Sequence, residues 1–494
     1  MQDHHSEQDI RILLESLNDI LRDEYLSPDA KPVFDYKEPE RIAALFDEPS
    51  PPKEGMGLEL AMKTFQNEVL PSSVKTWHPM FMNQMSAGAS LPAVVGDTLS
   101  SMLNCTLSTF EAAPAATVIE RVVCRWMAGL LGMKDGSGGI FLPGSSLGNL
   151  LGLAAARNSK LGDDFRRTGL QGLDKKPIIF CSEASHYSVT GAASLLGFGS
   201  DQVFKLATNE RNEILPASLT QALDQCDQQG LDPFVISVTI GSTVTGGVDP
   251  LPEIVELCKD RNIHIHVDAA FGGGYALTRE GAKVFKHIGH ADTITWDAHK
   301  WMHSPLTCTV LLSPDPSILK KSFKSGAGYL FHQENQEDQL TEDLGNYTIL
   351  CGKRFQGLGL WLMFKAFGEN FFRKHAEDRL AFVHEFKDVL KRDPDFSLAY
   401  EPILPVLCFR YLPDEVRDWS PEAINRLQRR IRQQVRESNV ALFNITDIKG
   451  KDFYRLILIN PLTTMKEIKP MLEALREIGS KLVHESLAQP LSAS

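Results

Sequence analysis

Hydrophobic positions recur with helical and strand periods along the chain, and their order predicts three structural parts. Between residues 8 and 26, apolar residues recur every three or four positions, which predicts an amphipathic helix. A similar helical pattern returns over residues 58–69. Because a segment this small buries little apolar surface by itself, we expect the helical residues 1–76 to pack on a partner subunit.

From residue 136 onward, short β-branched runs alternate with helical patterns. The runs that predict strands cover residues 177–181, 203–206, 234–240, 263–267, 291–296 and 307–312. This alternation predicts βαβ crossovers and a mainly parallel sheet, which we assign to a large α/β domain over residues 77–370. A further strand at 406–412, a hairpin within 440–459 and flanking helices predict a small α+β domain over residues 371–494.

Composition and charge narrow the class of protein. The 494 residues are 43% hydrophobic and 23% charged, which is typical of a globular enzyme. A net charge of −12 argues against nucleic-acid binding. The eight cysteines are scattered without a C-x-x-C pair, so we expect reduced thiols and no metal site. Since neither a signal-peptide pattern nor an apolar run of transmembrane length is found, we expect a cytoplasmic protein without a membrane partner.

Two of the strand-like runs end in charged residues. The first is followed by Asp268 and Ala270, and the second by Asp297, His299 and Lys300. The carboxyl ends of parallel strands meet at one edge of a sheet, where open α/β folds bind ligands. A lysine and an aspartate at that edge suit pyridoxal 5'-phosphate (PLP), because the lysine can form a Schiff base and the carboxylate can pair with the ring nitrogen. From these runs alone, a strand-end aspartate and a surface lysine without a cofactor explain the pattern equally well.

Within residues 136–149, a short strand runs into a glycine- and serine-rich turn, which is followed by a predicted helix, Leu150–Arg157. Backbone N–H groups at such a helix start, with the hydroxyls of Ser145 and Ser146, could cradle a phosphate. The letters of Gly144–Gly148 also match G-x-S-x-G, the nucleophile elbow of α/β-hydrolases, with Ser146 as the nucleophile. A plain tight turn is the third interpretation, and this stretch alone leaves all three open.

Taken together, these motifs resemble the group II PLP-dependent amino-acid decarboxylases, and most of all their glutamate and cysteine sulfinate decarboxylase branch. The matching stretches run in order from about Trp77 to the C-terminus: Phe141–Asn149, His186, Gly241–Val244, His266–Ala270, Trp296–Lys300 and Ala327–Phe331. The resemblance implies PLP fold type I, with a mainly parallel seven-stranded sheet in the large domain and a small C-terminal α+β domain. It also implies a homodimer with active sites at the interface.

The resemblance further implies roles for individual residues. Lys300 would bind the cofactor covalently, Asp268 would pair with its ring nitrogen, and His186 and Ala270 would lie against opposite faces of the ring. The expected contacts to the phosphate and the ring substituents come from Ser145, Ser146, His299 and Thr243. Tyr329 resembles the proton donor of the family and would reach the site of the partner subunit.

One position departs from the pattern. Close relatives have Asn-Pro before His-Lys, whereas this chain has Asp297 and Ala298. A carboxylate beside a phosphate is repelled unless it is protonated, turned away or bridged by a hydrogen-bond donor. The sequence therefore leaves the role of Asp297 open.

The implied reaction converts an L-amino acid to its amine and CO2. Gln84, Ser86 and Arg455 match positions where the glutamate branch holds a carboxylate, and arginine suits bidentate carboxylate binding. A structural salt bridge is the alternative explanation for Arg455. We expect glutamate, aspartate or cysteine sulfinate as the substrate, with 2,4-diaminobutyrate or an aromatic amino acid as the alternative.

Overall fold

The computed structural model describes residues 6–162, 165–324 and 341–488. The chain divides into two compact units. The larger unit is formed by Ala89–His384 and Tyr400–Leu407. The smaller unit is formed by the residues before Ala89, by Glu385–Ala399 and by the residues from Cys408 onward. The division into these two units does not test the predicted domain boundaries at residues 76 and 370, which remain a prediction.

The helices occur in both units. In chain order they are α1 (Glu7–Tyr25), α2 (Pro39–Phe46), α3 (Leu58–Thr64), α4 (Leu91–Leu103), α5 (Pro114–Leu130), α6 (Ser145–Lys160), α7 (Phe165–Thr168), α8 (Tyr187–Leu195), α9 (Pro216–Gln229), α10 (Leu251–Cys258), α11 (Arg279–Val284), α12 (Ser317–Phe323), α13 (Gly357–Phe367), α14 (Glu369–Arg392), α15 (Pro421–Glu437) and α16 (Met465–Ala488). The amphipathic helix predicted at residues 8–26 is confirmed as α1. The pattern at 58–69 forms α3 and continues as a π-helical turn, Phe65–Val69.

The strands form two sheets. In chain order they are β1 (Phe81–Met82), β2 (Gly138–Leu142), β3 (Pro177–Ser182), β4 (Val203–Leu206), β5 (Asp232–Thr239), β6 (His264–Asp268), β7 (Thr293–Asp297), β8 (Thr309–Ser313), β9 (Phe396–Leu398), β10 (Val406–Tyr411), β11 (Leu442–Ile448) and β12 (Lys451–Ile457). Each predicted strand of the large domain has an observed counterpart within three residues at either end.

The larger unit contains the seven-stranded sheet, in the order β2-β8-β7-β6-β5-β3-β4. Strand β8 runs antiparallel to both of its neighbours, and the other ladders are parallel. Strands β3, β6 and β7 are buried at every position, because a parallel sheet is covered by helices on both faces. The mainly parallel seven-stranded sheet is therefore confirmed.

Helix α6 is fixed against this sheet by two groups of apolar contacts. Leu151 and Ala155 belong to a cluster that includes Ile140 of β2, while Leu153 belongs to a cluster that includes Ile179 of β3. Glycines bring the helix close to the central strands: a Cβ added at Gly148 would lie 2.7 Å from the Thr295 side chain. The start of α6 is thereby held at the carboxyl edge of the sheet.

The smaller unit contains a five-stranded sheet in the order β1-β11-β12-β10-β9. The hairpin of β11 and β12 turns at Lys449 and Gly450, whose φ angles of +52° and +80° suit a tight two-residue turn. The predicted hairpin is thus confirmed, and this part of the chain has the α+β character that the sequence indicates.

Candidate active site

Five strands that run in the same direction end at one edge of the larger sheet, and each end is followed by a predicted site residue. The pairs of strand and residue are β2 with Ser145 and Ser146, β3 with His186, β5 with Thr243, β6 with Asp268 and Ala270, and β7 with His299 and Lys300. The strand order therefore brings together residues that lie up to 155 positions apart in the sequence. This edge is where an open α/β fold binds its ligand.

Lys300 forms an ion pair with Asp297, and this pair lies at the centre of the site. The Nζ atom lies 2.9 Å from Asp297 Oδ2, and the two side chains are 16% and 0% exposed. The other carboxylate oxygen, Oδ1, accepts a hydrogen bond of 2.6 Å from the Thr309 hydroxyl. Burial favours a higher pKa for Asp297, but the charge of Lys300, the nearby His299 ring and these hydrogen bonds outweigh it and lower the pKa. In the structure, the Asp297 carboxylate is therefore held by two donors, the Lys300 amine and the Thr309 hydroxyl.

His299 is fixed by backbone contacts on one side and by Asp297 on the other. Its Nδ1 lies 3.1 Å from the backbone nitrogen of Cys308, which donates to it. Its Nε2 lies 3.5 Å from Asp297 Oδ2. Burial lowers the pKa of His299, and the nearby Lys300 charge acts in the same direction while Asp297 opposes it. A neutral imidazole can accept or donate a hydrogen bond without adding charge to the site.

Helix α6 presents its N-terminus to the same edge. It begins at Ser145 after Gly144, whose φ of +109° is accessible to glycine. No side chain caps this helix start. The first backbone N–H groups of a helix have no partner within the helix and carry partial positive charge, so this end is suited to an anion such as a phosphate. The helix starts five residues before the predicted Leu150, because the serines that we interpreted as a turn form its first turn.

Asp268 is held by neutral donors. Its Oδ2 accepts a hydrogen bond of 2.8 Å from Asn149 Nδ2, and its Oδ1 accepts one of 3.1 Å from the backbone N–H of Ala270. His186 contacts Ser188 at 2.8 Å through Nδ1. Burial lowers the pKa of His186. The charges of Asp268 and Asp297 oppose this shift, and the charge of Lys300 acts in the same direction as burial.

The residues present fit PLP. An uncapped helix start suits its phosphate, a half-buried lysine amine suits its aldehyde, and a buried carboxylate held by neutral donors suits a protonated ring nitrogen. The residues that would hold the cofactor are Lys300, Asp268, His186 and the start of α6.

Other predicted residues lie elsewhere in the chain. Gln84, Ser86 and Arg455 belong to the smaller unit, so their part in substrate binding stays a prediction. Tyr329 lies outside the described residues. Three further contributors were not predicted from the sequence: Asn149, Ser188 and His266 take part in buried hydrogen bonds that lead to Asp268 or His186. The alternation of His264, His266 and Asp268 on one strand was the available signal.

Comparison with known proteins agrees with this geometry. The pyridoxal-dependent decarboxylase conserved domain matches residues 39–412, which is most of the chain. Mouse CSAD, cysteine sulfinic acid decarboxylase, is 29% identical over 95% of this chain and 99% of that chain, with a TM-score of 0.88.

Two further solved structures show the same fold. Oryza sativa TDC, solved with PLP and tryptamine, is 23% identical over 97% of this chain and 99% of that chain, with a TM-score of 0.89. The glutamate decarboxylase domain of a Vibrio parahaemolyticus diaminobutyrate-pyruvate transaminase and L-2,4-diaminobutyrate decarboxylase is 21% identical over 96% and 95%, with a TM-score of 0.82. At these identities, both likenesses concern the fold alone.

The family match decides between the alternatives left by the sequence. It covers the G-x-S-x-G turn, the sheet and both charged strand ends within one decarboxylase domain, which removes the serine hydrolase interpretation. Fold type I and PLP as the cofactor are confirmed. The chain therefore belongs to the pyridoxal-dependent decarboxylases and is a PLP-dependent amino-acid carboxy-lyase.

Proposed function

We propose that the protein removes the α-carboxylate of an acidic L-amino acid, namely glutamate, aspartate or cysteine sulfinate. The observation that carries this proposal is the 29% identity with cysteine sulfinic acid decarboxylase over almost the whole chain. A second support is Arg455, which lies on β12 with only 7% of its surface exposed. A guanidinium at such a position suits bidentate binding of a side-chain carboxylate or sulfinate. Gln84 and Ser86 are the further candidates for substrate contacts.

In the proposed mechanism, the chain holds and orders the reacting groups. Bound PLP supplies an electron sink for the electron pair that departing CO2 leaves behind. Lys300 would hold the cofactor through its amine, Asp268 would keep a proton at the ring nitrogen, and His186 and Ala270 would pack against the ring. The phosphate would be bound by Ser145, Ser146 and His299, with Thr243 near the ring substituents.

The last step of the proposed reaction is a proton transfer. Tyr329 delivers a proton to the α-carbon, so that one amino acid and one proton yield one amine and one CO2. A positioned acid favours the amine over transamination, because it decides which carbon is protonated.

The substrate is tested by CO2 release from the PLP-loaded protein. We expect turnover of glutamate, aspartate or cysteine sulfinate, and none of 2,4-diaminobutyrate, tyrosine or tryptophan. Arg455→Met should raise KM for the acidic substrate by about one-hundredfold, because a charged hydrogen-bonded pair contributes about 1.5–3 kcal/mol. Arg410→Met, on the neighbouring strand β10, is the control and should leave KM unchanged. Turnover confined to basic or aromatic amino acids would refute the substrate proposal.

The covalent role of Lys300 is tested separately. Lys300→Ala should abolish the visible absorption of a lysine-bound cofactor and all CO2 release, since no other amine is proposed to take its place. Reduction of the holoenzyme with borohydride should place the cofactor on the peptide that contains Lys300. An unchanged absorption spectrum in Lys300→Ala would contradict the assignment.

We further propose that the enzyme is a cytoplasmic homodimer. Helix α1 exposes apolar residues, and α4 exposes a second apolar stripe formed by Leu91, Val95, Leu99, Met102 and Leu103. The opposite face of α4 packs closely on α13 through Gly96, so the exposed stripe suits burial against a second copy of this chain. None of the eight cysteines, all of which lie within the described residues, forms a disulfide, which supports a reducing compartment. No helix among the described residues is long and apolar enough to cross a membrane.

The dimer proposal is tested by light scattering during size-exclusion chromatography. The wild type should have twice the mass of the chain. The double variant Val95→Glu and Leu99→Glu should shift the population towards the monomer, whereas Leu215→Glu, at another exposed leucine of the larger unit, should not. A wild type that is monomeric at micromolar concentration would refute the proposal.

A further inference from the structure

A buried chain of hydrogen bonds leads from the central strands to Asp268. His264, His266 and Asp268 alternate along β6, so their side chains lie on one face of the sheet. The Thr293 hydroxyl lies between the two histidines, 2.8 Å from His264 Nε2 and 2.9 Å from His266 Nδ1. His266 Nε2 in turn lies 3.0 Å from the amide oxygen of Asn149. All of these residues are buried.

At Asn149 the series of hydrogen bonds divides into two branches. One N–H of the amide donates to Asp268 Oδ2 at 2.8 Å. The same amide nitrogen lies 2.9 Å from the Ser188 hydroxyl, which lies 2.8 Å from His186 Nδ1. Asn149 therefore contacts Asp268 directly, which is proposed to pair with the ring nitrogen, and His186 through one hydroxyl, which is proposed to pack against the ring.

The chemistry of the groups gives every hydrogen bond a direction. A carboxylate accepts and does not donate, so the amide nitrogen of Asn149 faces Asp268 and its oxygen faces His266. His266 must then carry its proton on Nε2, and its Nδ1 accepts from the Thr293 hydroxyl. Thr293 in turn accepts from His264 Nε2. Burial lowers the pKa of His266 to about 4 and that of His264 well below its usual value, which keeps both rings neutral as this pattern requires.

The second branch is directed in the same way. The other N–H of Asn149 donates to Ser188, so the Ser188 hydroxyl hydrogen is available for His186 Nδ1. The backbone N–H of Ser188 also points to this nitrogen at 3.3 Å. With Nδ1 accepting, a neutral His186 carries its proton on Nε2.

We propose that Asn149 is a positioning residue that orients Asp268 and sets the tautomer of His186 at the same time. This inference rests on the proposed roles of Asp268 and His186 beside PLP. Asn149 can contact both residues because α6 packs closely on β6. A Cβ added at Gly152, three residues later on the same helix, would lie 2.4 Å from the His266 ring. The helix is therefore close enough to β6 for a short amide to bridge the two.

The main variant is Asn149→Ala. The protein should still bind PLP covalently, but the dissociation constant for PLP should rise about ten- to one-hundredfold, because Asp268 loses a charge-assisted hydrogen bond. The visible absorption band of the bound cofactor should move, and kcat should fall while KM stays within about twofold. A merely structural role would lower stability and leave the absorption band and the ratio of kcat to KM in place.

Asn158→Ala is the matched control. Asn158 lies on the same helix and donates a 3.1 Å hydrogen bond to the Ser322 carbonyl, away from the site. It should leave PLP affinity, the absorption band and kcat unchanged. If Asn149→Ala behaves like Asn158→Ala in these three measurements, the inference is wrong.

Two milder variants test the inference even if Asn149→Ala fails to fold. Thr293→Val removes the hydroxyl that fixes the His266 tautomer and should move the absorption band in the same direction by a smaller amount. Ser188→Ala cuts only the branch to His186, and its effect on kcat should be less than additive with that of Asn149→Ala. The inference would also be overturned if Thr293→Val left the absorption band unchanged and the effects of Ser188→Ala and Asn149→Ala on kcat were fully additive.

The tautomers can be measured directly in wild-type holoenzyme labelled with ¹⁵N-histidine. The signals that disappear in His186→Gln and His266→Gln should show protonated Nε2 and unprotonated Nδ1. Protonated Nδ1 at either residue would refute the pattern. A failure of the proposed function would be visible elsewhere, as an unchanged spectrum of Lys300→Ala.

Discussion

Asp297→Asn is the substitution that best tests the electrostatics of this site. It removes the charge that lies 2.9 Å from Lys300 Nζ in a buried position and keeps the size of the side chain. At an effective dielectric constant of about 20, the attraction at this distance is about 6 kcal/mol, part of which offsets desolvation. Removing one partner of a buried pair costs about 3–5 kcal/mol. Because Lys300 retains some exposure and the amide can still accept from Thr309, we expect a loss of about 3 kcal/mol in the free energy of unfolding.

The pH dependence of this loss follows from the lowered pKa of Asp297. A carboxylate with a depressed pKa in the folded protein contributes stability that is present above its unfolded value of 3.8 and is lost below it, as pH falls through the folded pKa. The difference between wild type and Asp297→Asn should therefore be constant from pH 5 to pH 8.

Urea unfolding of the cofactor-free proteins, followed by tryptophan fluorescence, measures this difference. Trp296 and Trp301 are buried beside the ion pair and report on this unit. Thr309→Val is the control: it removes one hydrogen bond to the carboxylate and should cost about 1.5–3 kcal/mol while the ion pair remains. A loss below about 1 kcal/mol in Asp297→Asn, or a difference that changes steadily between pH 8 and pH 5, would show that the carboxylate is not an ionised partner of Lys300.

Three further predictions concern other positions. Tyr329→Phe should slow amine formation and increase abortive transamination. Chromatography measures both products, and an unchanged ratio between them would contradict the proton-donor role. Gly152→Ala should destabilise the protein by about 1–3 kcal/mol through contact with the His266 ring, whereas Gly129→Ala, with no atom within 4 Å, should stabilise it by about 0.5–1 kcal/mol in thermal unfolding. Burial raises the pKa of Asp249 to about 7. The free energy of unfolding should therefore fall as pH rises from about 4 to 7, by at most about 1.4 kcal/mol per pH unit, and Asp249→Asn should remove this slope in urea unfolding at several pH values.

The ends of β6 and β7 could be predicted from the sequence because these strands are buried on both faces. Such strands are rich in β-branched residues, and a charged residue at the end of such a strand is easily recognised in the sequence. The predicted runs at 263–267 and 291–296 differ from the observed strands by one or two residues. The start of α6 was harder to predict, because Ser145 and Ser146 favour turns and helix starts alike.

The contribution of Asn149 could not be predicted in the same way. Its contact with His266 depends on the distance between α6 and β6, which the glycines of the helix set only once the whole sheet has formed. Local patterns carry no information on that distance. The two histidines on β6 were a partial signal, since polar side chains on a strand that is buried on both faces must find partners.

The two buried carboxylates of the site differ in the partners that hold them, and this difference supports the roles proposed for them. Asp297 faces the ammonium group of Lys300, so its charge is already balanced within the protein. Asp268 is held by the neutral amide of Asn149 and by the Ala270 N–H, which orient a negative charge without balancing it. A carboxylate that keeps its charge in a buried position favours a cation beside it, and a protonated ring nitrogen is such a cation. If the two sets of partners were exchanged, the charge of Asp268 would already be balanced, so its proposed pairing with the ring nitrogen depends on the neutral donors as well as on the carboxylate.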